Sequence, residues 1–235
     1  MSLPYAGTEL ELFAHATHWK AYFARHLSPY ITGRVLEVGA GIGGNITQLT
    51  NRNVQDWLAL EPDRKLADEI TRRLQQGTLP SNCRVLVGTL DAVPRQEQFN
   101  TILYIDVLEH IENDRSEVAL AAELLAPGGR LIVLAPAHQF LYSPFDRSIG
   151  HFRRYNLAGL KRLTPPGCRV ATSFMLDSVG FFASLANRWI LRAAMPTTAQ
   201  IATWDRAIIP LSRVFDPITN HRFGKSAIIA WQTMR

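Results

Sequence analysis

Residues 34–49 read RVLEVGAGIGGNITQL, an apolar run followed by a glycine-rich loop and a second apolar segment. The run Arg34–Val38 is too short for a typical helix and predicts a buried strand. Three glycines after it, Gly39, Gly41 and Gly44, fit the pattern G-x-G-x-x-G, in which the backbone can approach a ligand closely. The sequence therefore predicts a strand, a ligand-binding turn and a helix, although a purely structural tight turn would use the same residues.

Strand-like and helix-like segments alternate after this loop. Helices are predicted at Arg64–Gln76 and near Arg115–Leu125, the second ending at a turn, Pro127-Gly128-Gly129. The predicted strands are Trp57–Leu60, Cys83–Gly88, Thr101–Ile105, Arg130–Ala135, Arg169–Leu176 and Ser226–Thr233. This alternation predicts an α/β fold with a Rossmann-like, doubly wound parallel sheet and helices on both faces.

Length and composition suit one folded domain. The chain has 235 residues, of which 47% are hydrophobic and 19% charged, so intrinsic disorder is excluded. Two cysteines make neither a disulfide framework nor a zinc set. The N-terminal residues lack the pattern of a secretory signal, and no run is long enough to span a membrane. We therefore expect a cytoplasmic protein.

We expect four regions within a single domain, residues 1–235. An N-terminal helical lid, residues 1–30, contains a helix at Thr8–Leu27, and a ligand-binding core follows at residues 31–136. Two insertions, residues 137–156 and 177–225, are predicted to form the substrate lid, because open α/β sheets bind ligands at the carboxyl ends of their strands.

Charge is unevenly distributed along the chain. Residues 1–145 carry a net charge of −4, and residues 146–235 carry +9. The basic part suits an anionic substrate, a membrane surface or nucleic acid, but a solvated basic surface would look the same. The segment 178–195, SVGFFASLANRWILRAAM, is favoured as a helix over the active site, and peripheral membrane contact stays open.

Carboxylates near the strand ends distinguish between the possible cofactors. Glu37, Glu61, Asp91 and Asp106 each fall at or just after a predicted strand. Such a set repels a pyrophosphate but suits ribose hydroxyls, an adenine amine and an ammonium group. A Tyr-x-x-x-Lys pair, typical of one class of hydride-transfer enzymes, is missing from the sequence. These residues favour S-adenosylmethionine over a nicotinamide cofactor.

Together, VLEVGAGIGGNITQL, LALEPD, GTLDAV and LYIDVLEHIENDRSEVALAAELLAPGGRLIVLAPAH resemble the class I S-adenosylmethionine-dependent methyltransferases, over about residues 34–140. Within them the chain is similar to a small-molecule branch that includes ubiquinone-biosynthesis methyltransferases. The resemblance implies a seven-stranded sheet whose last strand is antiparallel. It also implies these cofactor contacts: Glu37, Gly39 and Gly41 along the methionine moiety, Glu61 at the ribose, Leu90 and Asp91 at the adenine, and Asp106 at the sulfonium end.

Residues 146–155 contain D-x-x-x-G-H-x-R-R-Y, an element that resembles a subset of bacterial methyltransferases. His151 and Tyr155 in this element, with His138 after the fifth strand, are the predicted catalytic residues, while His110 and Tyr142 are further candidate bases. The alternative for His151 is a structural bond to Asp146. The neighbouring Arg153 and Arg154 suit either an acidic group of the acceptor or internal ion pairs.

Asp106, Glu109 and His110 would share one face of a helix if a helix began there. Such a set could bind a divalent cation, but structural hydrogen bonding is favoured, and we expect no metal.

The predicted function is S-adenosylmethionine-dependent methyl transfer, with S-adenosylhomocysteine as the product. The acceptor is expected to be a small or lipid-like, anionic or amphipathic molecule, methylated on oxygen by in-line displacement. Nucleic acid is not expected as a partner, and the protein is expected to be a monomer or a homodimer. The alternatives are a nicotinamide-dependent oxidoreductase, a nucleic-acid methyltransferase and a non-catalytic cofactor-binding protein.

Overall fold

A computed structural model of the protein describes residue 13, residues 15–186 and residues 197–235. In these residues seven strands form a sheet of order β3-β2-β1-β4-β5-β7-β6. The strands are β1 Gly33–Val38, β2 Val54–Glu61, β3 Cys83–Val87, β4 Phe99–Ile105, β5 Leu125–Pro136, β6 Cys168–Leu176 and β7 Ser226–Thr233. The last strand, β7, lies antiparallel to both of its neighbours, and the first five strands pair in parallel. The predicted Rossmann-like sheet with an antiparallel last strand is confirmed.

Helices cover both faces of the sheet. They are α1 Thr17–Leu27, α2 Ile46–Leu49, α3 Arg64–Gln75, α4 Asp114–Glu123, α5 Pro144–Ser148, α6 Leu157–Arg162, α7 Ser178–Ala186, α8 Thr198–Thr203 and α9 Ile209–Ile218. A π-helical turn, Trp204–Ile208, joins α8 to α9. Two helix starts are explained by their caps, because the Asp63 side chain accepts from the amides of Lys65 and Leu66 at the start of α3, and Asn156 accepts from Gly159 at α6.

The core forms two apolar clusters, one on each face of the sheet. Helices α1, α3 and α9 contribute Phe23, Ile70 and Ile209 to one cluster. Helices α4 and α6 contribute Val118 and Leu160 to the other. Because the central strands are buried on both faces, they appear in the sequence as unbroken apolar runs instead of alternating ones.

The predicted turn Pro127-Gly128-Gly129 lies inside β5 and not between α4 and the strand. The pairing of β5 with β4 shifts between Leu125 and Arg130, so the extra residues bulge out of the ladder. Gly128 has a φ of +71°, and its N–H donates to the carbonyl of Arg235. A local sequence pattern detects the break but not the strand that continues through it.

Two predicted helices are only partly described. Of the helix Thr8–Leu27 the structure describes α1, and of the segment 178–195 it describes α7, so Arg188, Trp189 and Arg192 lie outside the described residues. None of the helices in the described ranges combines the length and the hydropathy that crossing a membrane requires.

Candidate functional site

A cavity of about 1210 Å³ lies at the carboxyl ends of β1, β2, β4 and β5. Its floor includes the glycine loop that follows β1. Aromatic side chains of α1, Trp19 and Phe23, form part of its wall, together with Trp204 of the π-helical turn. This is the edge at which open α/β sheets bind their ligands.

The glycine loop is drawn tightly onto β2. The N–H groups of Gly39 and Ala40 both donate to the carbonyl of Leu60, over 2.8 and 3.1 Å. Gly39 has a φ of +68°, and a Cβ there would lie 2.7 Å from the Val107 side chain. Only glycine fits this position, so the loop backbone can face the cavity at close range.

Glu61 at the end of β2 holds the loop from the other side. Its Oε2 accepts from the N–H of Gly41 over 2.7 Å, and its Oε1 accepts from the N–H of Asp63 over 2.9 Å. Burial raises the pKa of Glu61, although these two hydrogen bonds act in the opposite direction. Since Glu61 also lines the cavity, it offers a fixed acceptor for ligand hydroxyls.

Glu37 lies behind the cavity wall. It is 1% exposed and accepts from Asn45 Nδ2 over 3.1 Å and from Trp57 Nε1 over 3.2 Å. Burial raises its pKa to about 7. Asn45 lines the cavity, and Glu37 is separated from it by that side chain, so a direct contact with a methionine ammonium stays a prediction.

Asp106 follows β4 in a left-handed backbone conformation, with a φ of +54°. Its side chain is exposed, and it lines the cavity. Desolvation raises its pKa, and the nearby cations Lys225 and Arg154 oppose that rise. Such strain in a non-glycine residue is typical of functional sites, and Asp106 lines the cavity, so its predicted contact with the sulfonium end stays a prediction.

Leu90 and Asp91 are placed elsewhere. They belong to a 3₁₀ turn, Leu90–Ala92, in which Leu90 is buried in the core and Asp91 is exposed. Neither residue lines the cavity as the described residues form it. Their predicted contact with adenine stays a prediction.

His151 lines the cavity at the centre of a hydrogen-bonded network. Its Nδ1 lies 2.9 Å from Asp146 Oδ1, and Arg154 donates to the same carboxylate through Nε and Nη2, over 2.8 and 2.9 Å. Burial alone would raise the pKa of Asp146, but hydrogen bonds from His151 and Arg154 outweigh it and hold that pKa below its usual range. Because Asp146 is ionised, its Oδ1 is placed to accept from the Nδ1–H of His151, and Nε2 on the other side of the ring lies 3.7 Å from Glu109 Oε1.

The other two predicted catalytic residues do not line the cavity. The Tyr155 hydroxyl donates to Asp114 Oδ2 over 2.8 Å, and burial raises its pKa further above its usual range. His138 Nε2 lies 3.0 Å from the carbonyl of Gly224, and burial lowers its pKa. This geometry gives Tyr155 and His138 structural partners and offers no support for a role as base.

Two arginines of residues 146–155, Arg153 and Arg154, also make internal ion pairs. Arg153 pairs with Asp114 over 2.8 Å, and Arg154 pairs with Asp146. The sequence left two alternatives for these arginines, an acidic group of the acceptor or internal ion pairs, and the structure shows the internal ion pairs. Arg154 also lines the cavity, so a contact between this arginine and an acceptor stays a prediction.

Glu109, His110 and His151 form a cluster in which one ligand atom of each lies within 4.8 Å of the others. Leu108–His110 is a 3₁₀ turn, so the expected helical face with Asp106 does not form. Burial and the charge of Asp106 raise the pKa of Glu109 well above its usual range, and burial lowers that of His110 to about 4. The cluster has the donor types of a cation site, and both carboxyl oxygens of Glu109 are buried without a hydrogen-bond partner among the described residues.

Lys225 is a cavity residue that the sequence analysis missed. It lines the cavity, and its Nζ lies 5.0 Å from the ring centroid of Trp204. Burial lowers its pKa, while the charge of Asp177 raises it. Lys225 stands alone before β7 without a motif, so no local pattern would have identified it.

A family model described as "Methyltransferase domain" matches residues 13–164. The chain is 29% identical over 122 residues to the tRNA U34 carboxymethyltransferase of Syntrophotalea carbinolica. The aligned region covers 50% of this chain and 38% of that protein. It is 28% identical over 200 residues to the demethylmenaquinone methyltransferase of Tropheryma whipplei, covering 75% of this chain and 78% of that one. The matched region thus spans well under half of the first relative.

Among solved structures, the chain is similar to geranyl diphosphate methyltransferase in complex with S-adenosylmethionine. The TM-score is 0.66 and the identity 16%, over 97% of this chain and 91% of that one. At this identity the likeness shows a shared fold.

Proposed function

This chain belongs to the methyltransferase-domain family, within the class I S-adenosylmethionine-dependent methyltransferases, and we propose that it methylates an oxygen of a small, anionic acceptor. The observation that carries the proposal is the position of His151. It lines the same cavity as the glycine loop and Glu61, and Asp146 fixes its tautomer. When bound, S-adenosylmethionine supplies a methyl group already activated on a sulfonium.

The residues around the donor bind and orient it. Glu61 would accept from the ribose hydroxyls, because its two oxygens are held in place by backbone amides and still have free lone pairs. Asp106 would lie at the sulfonium end, where a carboxylate favours positive charge. The loop residues Gly39 and Gly41 leave room for the methionine moiety along the cavity floor.

The residues on the lid side would handle the acceptor. His151 would take the proton of the acceptor hydroxyl on Nε2 as the methyl group moves, and the ionised Asp146 would stabilise the resulting imidazolium. Lys225 is suited to an acidic group of the acceptor, since its ammonium lies on the cavity beside the Trp204 ring. The similarity to demethylmenaquinone methyltransferase supports a small-molecule acceptor.

Two experiments test this function. Isothermal calorimetry with S-adenosylhomocysteine, NADH and NADPH is expected to detect binding of the first ligand only. Methyl transfer from tritium-labelled S-adenosylmethionine is then measured on panels of phenols, quinols and hydroxy acids, with mixed RNA as a competing substrate.

His151→Gln is expected to lower kcat by about 10²–10⁴ while S-adenosylhomocysteine still binds with unchanged affinity. His15→Gln, at an exposed position, is the matched control. A His151→Gln variant with the wild-type rate would refute the assigned base. Binding of a nicotinamide alone would refute the assigned donor, and methylation of RNA alone would refute the small acceptor.

A further inference from the structure

Helix α9 has its polar side buried and its apolar side exposed. Its buried residues are two polar ones, Ser212 and Asp216, and one apolar one, Ile209. Four apolar side chains are exposed, which we call the apolar row: Leu211 at 50%, Val214 at 60%, Phe215 at 49% and Ile218 at 70%. Surface helices normally show the opposite arrangement.

The buried polar side attaches α9 to the rest of the protein. Asp216 accepts from the Tyr22 hydroxyl of α1 over 2.8 Å and from the backbone N–H groups of Asp177 and Ser178 over 2.7 and 2.8 Å. Ser212 donates to Asp177 Oδ1 over 2.7 Å. These bonds orient the helix, so the apolar row points away from the core formed by the described residues.

The spacing of the apolar row makes it one continuous stripe. Positions 211, 214, 215 and 218 follow i, i+3, i+4 and i+7, which lie on one side of an α-helix. A stripe of large exposed apolar side chains marks an interaction surface more often than chance exposure does.

The charges near the apolar row are all of one sign. In residues 197–224 the exposed charged side chains are Arg206, Arg213 and Arg222, of which Arg213 donates to the carbonyl of His18 and lies over the Tyr22 ring. The two acidic residues of that range, Asp205 and Asp216, are buried and accept internal hydrogen bonds. The surface around α9 therefore presents positive charge beside apolar side chains, which complements a partner that is apolar inside and negative outside.

We propose that α9 docks on an anionic lipid bilayer, with the apolar row below the headgroups and the arginines at the level of the phosphates. Helix α9 packs on α7, whose Gly180 and Ala183 line the cavity wall. The proposal does not depend on the proposed methyl transfer.

The test is co-sedimentation of the full chain with vesicles. One set contains equal parts of phosphatidylcholine and phosphatidylglycerol, and the other contains phosphatidylcholine alone. The double variant Leu211→Gln/Ile218→Gln removes the two ends of the apolar row, and Met234→Gln, which replaces an apolar side chain that is 65% exposed elsewhere, is its control. Arg222→Gln is compared with Arg52→Gln, also exposed.

Wild type and Met234→Gln are expected to bind the anionic vesicles at low salt and to be released by high salt. The double variant should lose about tenfold or more in binding, and Arg222→Gln should bind more weakly than Arg52→Gln. Calorimetry with S-adenosylhomocysteine and a thermal melt establish that each variant is folded.

Three results would overturn the proposal: no binding to either vesicle, equal binding to both vesicles, or unchanged binding of the double variant. Sedimentation velocity without lipid tests the other possible occupant of this surface, a second copy of the chain. A concentration-dependent dimer that the double variant abolishes would show that a second copy of the chain covers α9, and not a membrane.

Discussion

Glu37 makes the stability of this protein depend on pH in a direction that can be calculated. Its pKa is about 7 in the folded protein against 4.5 as the reference value, because burial penalises the ionised form. Between these values the folded state binds more protons than the unfolded one, so the free energy of unfolding falls as pH rises from 4.5 to 7. This difference in the pKa of Glu37 changes the free energy of unfolding by about 3 kcal/mol, at 1.36 kcal/mol for each pKa unit.

Glu37→Gln removes this titration while keeping an oxygen that can accept from Asn45 or Trp57. The variant is therefore expected to gain about 3 kcal/mol relative to wild type between pH 4.5 and 7.5. Urea denaturation of the ligand-free protein at several pH values measures this difference. Glu112→Gln, at an exposed position, is the control, and its free energy of unfolding should depend on pH in the same way as that of wild type.

The same titration reports on the ligand. If the ammonium of S-adenosylhomocysteine reaches Glu37, binding favours the ionised carboxylate and releases a proton near pH 6. Calorimetry in buffers with different ionisation enthalpies detects such a proton in wild type and should not detect it in Glu37→Gln. Parallel unfolding curves for the two proteins would refute the raised pKa, and tight binding without proton release would refute the ammonium contact.

Glu61→Gln is expected to weaken binding of S-adenosylhomocysteine about 10–100-fold in calorimetry, because charge-assisted hydrogen bonds are lost. Glu117→Gln, a partly buried carboxylate outside the cavity lining, should leave the affinity unchanged. Asp216→Ala should destabilise the protein to urea by about 3–6 kcal/mol, since three buried donors lose their acceptor. A cost below about 1 kcal/mol would contradict the role given to that carboxylate. Methyl transfer should be insensitive to EDTA, and a metal-dependent rate would instead assign a cation to the Glu109 cluster.

The strands could be predicted because they depend on short-range patterns. A strand such as β1 is buried on both faces, so its apolar run is visible within a few residues. The carboxylates of β1, β2 and β4 could also be predicted to lie near one another, since parallel strands end at the same edge of the sheet. Two local features differ from the sequence predictions. A 3₁₀ turn after β3 directs Leu90 into the core, and a bulge extends β5 through a proline and two glycines.

The lid side of the site could not be predicted in this way. The pairing of Arg154 with Asp146 joins residues eight positions apart through an irregular loop. Lys225 meets Trp204 only because the segment before β7 returns to the cavity. Sequence reasoning identified the right residue types in residues 146–155, but it could not tell an arginine that pairs internally from one that binds a ligand.

Sequence reasoning also could not predict which side of helix α9 faces the core. From periodicity alone, Leu211, Val214, Phe215 and Ile218 would be assigned to the core, because they form one apolar stripe. The structure reverses that assignment because Asp216 accepts three buried hydrogen bonds from elements distant in sequence. Turning the helix over would leave those three donors without an acceptor, at about 1–3 kcal/mol each, and this cost keeps the polar side of the helix buried. The apolar row is therefore a consequence of tertiary hydrogen bonding, and its exposure is the reason to look for a partner there.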